Sequence, residues 1–522
     1  MRVQLEALDI GVFAAYLLAV ALLAGWASRG KSATRRDYFL GGDKLPWWMI
    51  GGSIVAANIS SHHFIGVMGV AYQHGFVAMT VEWGAILIGF NALLWIFLPY
   101  YLRNGFYTMP EFLQRRYGPV ARALFAILIL LTYVFVEIAA VLYFGALALH
   151  ELLGIPVHLC VPLIAVVTGA YTVVGGLRAV VWTEMLQLGV LLIGGLALAF
   201  AALQAGGGWS AFFATSRDWD MIRPASDPDF PWTMYLGGMV CISIFYCAAN
   251  QFIVQRVLAA KDEWHARMGV VFTNYLKFLL PLIIVVPGMI GPSLFPNLER
   301  PDMIFPTLVS HLLPSGLIGL VLAGLVAAVM SHVSGALNSS TTILTVDFYQ
   351  VWRPKATEAE AVRFGRRSGV ILAILGVVAA EILAAHSDKP VFIYLLSAYG
   401  YVTPGMAVMF LAGIFWRRAT QAGAVTAGIL TLGLTVCLEL IFPQLPFFNR
   451  TGIVFWLCLV ACVVVSLFTR PTPQAALQGL IWTRDSLQLP ADQRKQSRGW
   501  RSPALWWAII TLVVLSFYIR YA

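Results

Sequence analysis

The sequence predicts an all-α membrane protein of about fourteen transmembrane helices. Three observations predict it. The 522 residues are 60% hydrophobic and only 11% charged, against about 25% charged in ordinary globular domains. Apolar runs of spanning length, about 20 residues, recur along the whole chain. Two of those runs carry polar residues at their centres, a cost that a lipid-facing helix does not bear without a reason.

In order, the runs lie near 7–27, 46–70, 77–102, 123–149, 157–176, 180–204, 232–255, 269–294, 314–341, 368–386, 390–414, 421–442, 452–469 and 503–521. The first reads as a retained helix. Met1 to Asp9 lack the positive start of a secretory signal, and no small-residue cleavage site follows. An even count puts both termini on one side. With the termini outside, 26 of the 34 Lys and Arg fall in inside loops and 7 outside, with Lys277 in a span. That is the asymmetry the positive-inside rule demands. The net charge of +9 is thus a topology signal, and nucleic-acid binding drops out. The six cysteines all lie in apolar runs without zinc-ligand spacing, so neither a metal site nor a disulfide framework is expected. The longest inside loop, 470–502, leaves no room for an enzymatic domain, and no phosphate-binding loop occurs. The expectation is a single integral membrane domain with no enzyme activity, in a plasma membrane of bacterial inner-membrane type.

The polar centres carry the function. In 46–70 the stretch is Ala56-Ala57-Asn58-Ile59-Ser60-Ser61-His62-His63, bracketed by Gly51-Gly52 and Gly66. In 232–255 it is Cys241, Ser243, Tyr246, Asn250, Gln251 and Gln255, behind Gly237-Gly238. Both read as helices broken at the midplane, where transporters place substrates and ions. They stand five spans apart, and an odd number inverts the second unit. This predicts two inverted repeats, 46–204 and 232–414, an extra helix at 7–27 and accessory helices over 421–522.

Lys277 sits mid-span between Leu276 and Phe278 and needs an acceptor, for which Glu82 is the candidate. Glu184 reads either as an interfacial acid or as part of an ion path. Glu137 and Glu381 show no partner in the sequence. The run from Ala327 through Ser331-His332 to Thr342 is dense in hydroxyls. These either glue helices together or supply hard oxygens to an alkali cation.

Several segments resemble a known family. They are Tyr38-Phe39-Leu40-Gly41-Gly42 with Leu45-Pro46-Trp47-Trp48, then Ala56-Ala57-Asn58-Ile59-Ser60, and Tyr107-Thr108-Met109-Pro110-Glu111-Phe112. Gly175-Gly176-Leu177-Arg178-Ala179-Val180-Val181-Trp182-Thr183-Glu184, Asn250 through Lys261, and Asn338 to Tyr349 follow. Over about residues 37–420 the chain resembles the sodium:solute symporters, and within them the sodium/sugar branch. The resemblance implies two inverted five-helix repeats of the leucine-transporter type. It implies that Asn58, His63, Glu82, Ser243, Tyr246 and Lys277 contact the substrate, Tyr246 also closing the inner gate. It implies a sodium site from the carbonyls of Ala56, Ile59 and Ala328 and the hydroxyl of Ser331. Glu184 matches an acid on the ion's way inward.

Three positions depart from the family. A second cation-site hydroxyl is replaced by His332, a poor sodium ligand that titrates near neutrality. A sugar-contacting Gln is replaced by Leu396, and an aromatic beside the gate by Cys247. The expected function is therefore sodium-coupled uptake of a sugar or sugar-like polyol. Proton coupling through His332, uncoupled transport, another small organic solute and a membrane sensor remain as alternatives.

Overall fold

Hydropathy makes the helices and a few side chains decide where they break. The computed structural model describes residues 5–29, 34–42, 44–214, 219–386 and 397–522. The described residues are nearly all helical and contain no β-strand. Ten helices are long and apolar enough to cross a membrane, or eleven if one bent pair counts as a span. The expected count of fourteen is not reached by this measure. His63–Asn104 runs on as one helical stretch through what reads as the end of one span and the whole of the next, and Thr403–Phe415 is short. The span expected at 390–414 falls partly outside the described residues. Val157–Ala205 joins two expected spans around a kink at Gly176. There φ is +60°, and a Cβ would stand 2.4 Å from the Tyr38 carbonyl oxygen. Only glycine fits such a position.

The first polar-centred helix is broken as expected. Trp47–Asn58 ends where Ile59 turns to an extended ψ of 125°, and helix resumes two residues later. Asn and Ser favour this because their side chains compete with the backbone for hydrogen bonds. The His63 ring assists, since its Nδ1 accepts the Ser60 backbone N–H at 3.2 Å. The second break has the same chemistry. Gly238–Ala249 and Gln251–Leu258 meet at 42°. Asn250 turns extended, and its side chain accepts from Phe252 N at 3.0 Å. The Tyr133 hydroxyl reinforces that cap, donating to Asn250 and accepting from Phe252 N.

Close backbone approach fixes the register of the site. The first broken helix packs on Glu263–Leu294, the helix that carries Lys277. A Cβ on Gly51 would stand 2.6 Å from the Gly269 carbonyl oxygen, and backbone cannot move aside as a side chain can. Gly51→Ala is therefore expected to lower stability by about 1–3 kcal/mol, read as thermal unfolding in detergent. Gly25→Ala, with nothing within 4 Å, is the control and should change little. The loop before this helix is also tied down. Leu45 exchanges backbone bonds with Ala259 and Lys261, just past the second broken helix.

The extra N-terminal helix is fastened by one acid. The Asp9 carboxylate accepts the backbone N–H groups of Gly316 and Gly319 at 2.7 and 2.8 Å. It caps the start of Leu317–Ile343, where the helix dipole favours a negative charge. Arg116 donates to the carbonyls of Gly413, Trp416 and Ala419, closing the C-terminus of Thr403–Phe415.

Candidate functional site

The six residues expected to contact substrate come together around one cavity. Asn58, His63, Glu82, Ser243, Tyr246 and Lys277 all line it, and it measures about 110 Å³. Ligand sites usually run to about 300–1,000 Å³, so this one suits a single compact solute.

The lone intramembrane ammonium has its acceptors. Lys277 Nζ donates to Glu82 Oε2 at 2.5 Å and to the Asn58 side-chain carbonyl. Its other flank faces the Phe90 ring, 5.7 Å from the centroid. His63 Nε2 lies 3.1 Å from Glu82 Oε1. Because His63 Nδ1 accepts the Ser60 N–H, it is Nε2 that carries the ring proton and donates to Glu82. Each member therefore positions the next: helix break, imidazole, carboxylate, ammonium, amide. All are buried, and together they present donors and acceptors to a polar solute without leaving a bare charge. Tyr246 meets Tyr399 edge to face at 5.9 Å, giving the cavity an aromatic side.

Two residues before Asn58 the same broken helix turns to the expected cation ligands. The Ser331 hydroxyl donates to the Ala56 carbonyl at 2.7 Å and lies 3.1 Å from the Ala328 carbonyl. Ile59 stands at the break itself, where the chain leaves the helical path and carbonyls leave the hydrogen-bond ladder. Uncharged hard oxygens of this kind suit an alkali cation.

His332 does not join them. Its Nε2 lies 2.5 Å from Glu137 Oε2, while the Tyr399 hydroxyl donates to Glu137 Oε1. Nδ1 has no partner among the described residues. Glu137, which shows no partner in the sequence, is thus held between two of them, and it too borders the cavity. Glu184 is fully buried and paired with Arg256 and Ser53, which removes the reading of an interfacial acid in water. Ser53 also accepts from Arg256 Nε at 2.7 Å. Cys247 lines the cavity. Glu381 is half-buried and makes no hydrogen bond or ion pair among the described residues. Leu396 lies outside them.

The sodium:solute symporter family model matches residues 38–431, three quarters of the chain and both broken helices. The chain belongs to this family. As a symporter it is a transporter and no enzyme. The chain is 32% identical to the sodium/glucose cotransporter of Vibrio parahaemolyticus over 502 residues, covering 89% of this chain and 91% of that protein. It is 32% identical to the sodium/myo-inositol cotransporter 2 of Homo sapiens, covering 94% of this chain and 81% of that one. In structure the symporter is similar to a Na+-coupled sialic acid symporter at a TM-score of 0.81 and 24% identity, over 90% of this chain and 99% of that one. It is similar to a nucleobase-cation-symport-1 family transporter at 0.56 and 14%. These two likenesses speak for the fold alone, the leucine-transporter type with its broken helices.

Proposed function

We propose that this symporter couples inward sodium flow to uptake of a sugar or sugar-like polyol by alternating access. The observation that carries the reading is the shared helix break. It aims the Ala56 carbonyl at Ser331 and, two residues on, Asn58 at Lys277. A cation ordering the break would therefore order one wall of the cavity, and binding of the two is linked. Lys277, Glu82, Asn58 and His63 supply the fixed donors and acceptors that hydroxyls need. Ser243 and Tyr246 complete the pocket, with Tyr246 closing it toward the inside. Ala56, Ile59, Ala328 and Ser331 hold sodium, and Glu184 lies on its inward path. The relatives named for sodium with glucose or myo-inositol support both cargo classes.

The two inverted repeats take 46–204 and 232–414, in a bacterial inner membrane with both termini outside. The charge split between loops supports that orientation. One sodium ion moving through about 100 mV yields about 2.3 kcal/mol, and a tenfold sodium gradient adds about 1.4 kcal/mol. The two together sustain several-hundred-fold accumulation.

The test is uptake of labelled sugars and polyols into proteoliposomes, with sodium and pH gradients imposed separately. Accumulation is expected with the sodium gradient alone. Accumulation driven only by the pH gradient replaces sodium with a proton as the coupling ion. Failure of every sugar and polyol, with uptake of an amino acid instead, overturns the substrate class.

A further inference from the structure

The geometry points to Glu137 as a substrate-selecting residue. Its carboxylate forms a second polar wall of the cavity, which accepts hydroxyl protons of a neutral polyhydroxylated solute and turns away a carboxylated one. The inference rests on the reading that this cavity takes a sugar or polyol.

Glu137 is 1% exposed and borders the same cavity as Lys277. It comes from the Pro119–Leu153 stretch, which contributes none of the six contacts expected from the sequence. A carboxylate offers about four acceptor sites. His332 occupies one on Oε2 and Tyr399 one on Oε1. The remaining acceptors have no protein donor among the described residues. A buried acceptor without a donor is costly, so a solute hydroxyl placed there is rewarded. Glu82 carries as many partners, one on each oxygen, but one of them is the Lys277 ammonium.

Charge gives the selection its sign. Lys277, which pairs with Glu82, is the one Lys or Arg lining the cavity among the described residues, while Glu137 meets only the His332 imidazole and the Tyr399 hydroxyl. The other titratable side chains lining the cavity are His62, His63, Tyr246, Cys247 and Tyr399. An incoming carboxylate meets two acids and one ammonium that is already engaged. Like charges at such range are strongly unfavourable in a low-dielectric interior. A hydroxyl or an ammonium meets no such barrier.

The wall is also held rigidly. The Tyr399 ring packs on Tyr246 at 5.9 Å, and the His332 ring on Phe252 at 4.9 Å. A carboxylate fixed from two separate helices keeps one orientation, which geometric selection requires. The departure at position 332 gains a purpose on this reading. The imidazole stands where a hydroxyl is the family pattern, and it holds the acid that shapes the pocket.

The experiment is competition for sodium-driven uptake in proteoliposomes by glucose, 2-amino-2-deoxyglucose and glucuronate. In the native protein glucose and the amino sugar are expected to compete, with glucuronate at least tenfold weaker. Glu137→Gln should narrow the glucose-to-glucuronate ratio at least tenfold. Tyr399→Phe, which frees one carboxylate oxygen, should raise the glucose KM several-fold with the maximal rate kept. A native protein that takes glucuronate as readily as glucose overturns the inference, and so does a Glu137→Gln ratio equal to the native one. If Glu137→Gln yields no monodisperse protein, Glu137→Asp decides. A tenfold rise in glucose KM with glucuronate still excluded supports the wall, and an unchanged KM overturns it. A native protein that takes up no sugar or polyol under any sodium gradient overturns the functional reading, which separates that failure from failure at Glu137 alone.

Discussion

Lys277→Ala is expected to abolish sodium-driven uptake and to destabilise the protein by about 3–5 kcal/mol, the cost of stranding one member of a buried pair. The cost falls on what is left behind. Glu82 loses the ammonium at 2.5 Å and keeps only the His63 ring, while Asn58 loses its donor. Lys277→Arg is not expected to rescue transport. A planar guanidinium cannot replace a compact ammonium that reaches a carboxylate and an amide from one atom. The double variant Lys277→Met with Glu82→Leu removes both charges and should recover most of the stability while remaining inactive. Thermal unfolding in detergent beside proteoliposome uptake reads both effects. Native stability in Lys277→Ala, or equal losses in the single and double variants, would show that the pair is not the electrostatic centre of the site.

A partner is legible in the sequence where one residue's burial cost points to it, and is hidden where reach across the fold decides. Lys277 is conspicuous because an ammonium inside an apolar run demands an acceptor, and Glu82, in the run at 77–102, is the candidate that the structure pairs with it. The two helix breaks are legible because Asn and Ser cluster amid apolar residues. The remaining site assignments rest on the family resemblance. Glu137 and His332 are each unremarkable alone, stand 195 positions apart, and become a pair only when Pro119–Leu153 packs near the serine-rich helix. Arg256 hides in the same way. It reads as a loop-end cation, yet the structure buries it against Glu184 and Ser53. The count of fourteen spans is not confirmed by helix length alone. Val157–Ala205 holds two helices that meet at the kink at Gly176, and the run at 390–414 falls partly outside the described residues.

Ser331 and His332 are neighbours on one helix, and their removal should give opposite kinetic signatures. Ser331→Ala takes away the hydroxyl that meets the carbonyls of Ala56 and Ala328. The sodium concentration for half-maximal uptake is expected to rise at least tenfold, about 1.4 kcal/mol of binding, with substrate KM unchanged at saturating sodium. His332→Ala leaves those oxygens in place and frees Glu137 Oε2. Substrate KM should then rise at saturating sodium, while the sodium dependence moves less than threefold. The difference follows from geometry, because one side chain turns toward the broken helix and the next toward the cavity wall. A full matrix of uptake rates against both sodium and substrate separates the two effects. If His332→Ala shifts the sodium dependence as far as Ser331→Ala does, the imidazole belongs to the cation site after all. Its bond to Glu137 would then be a route by which the ion reaches the substrate.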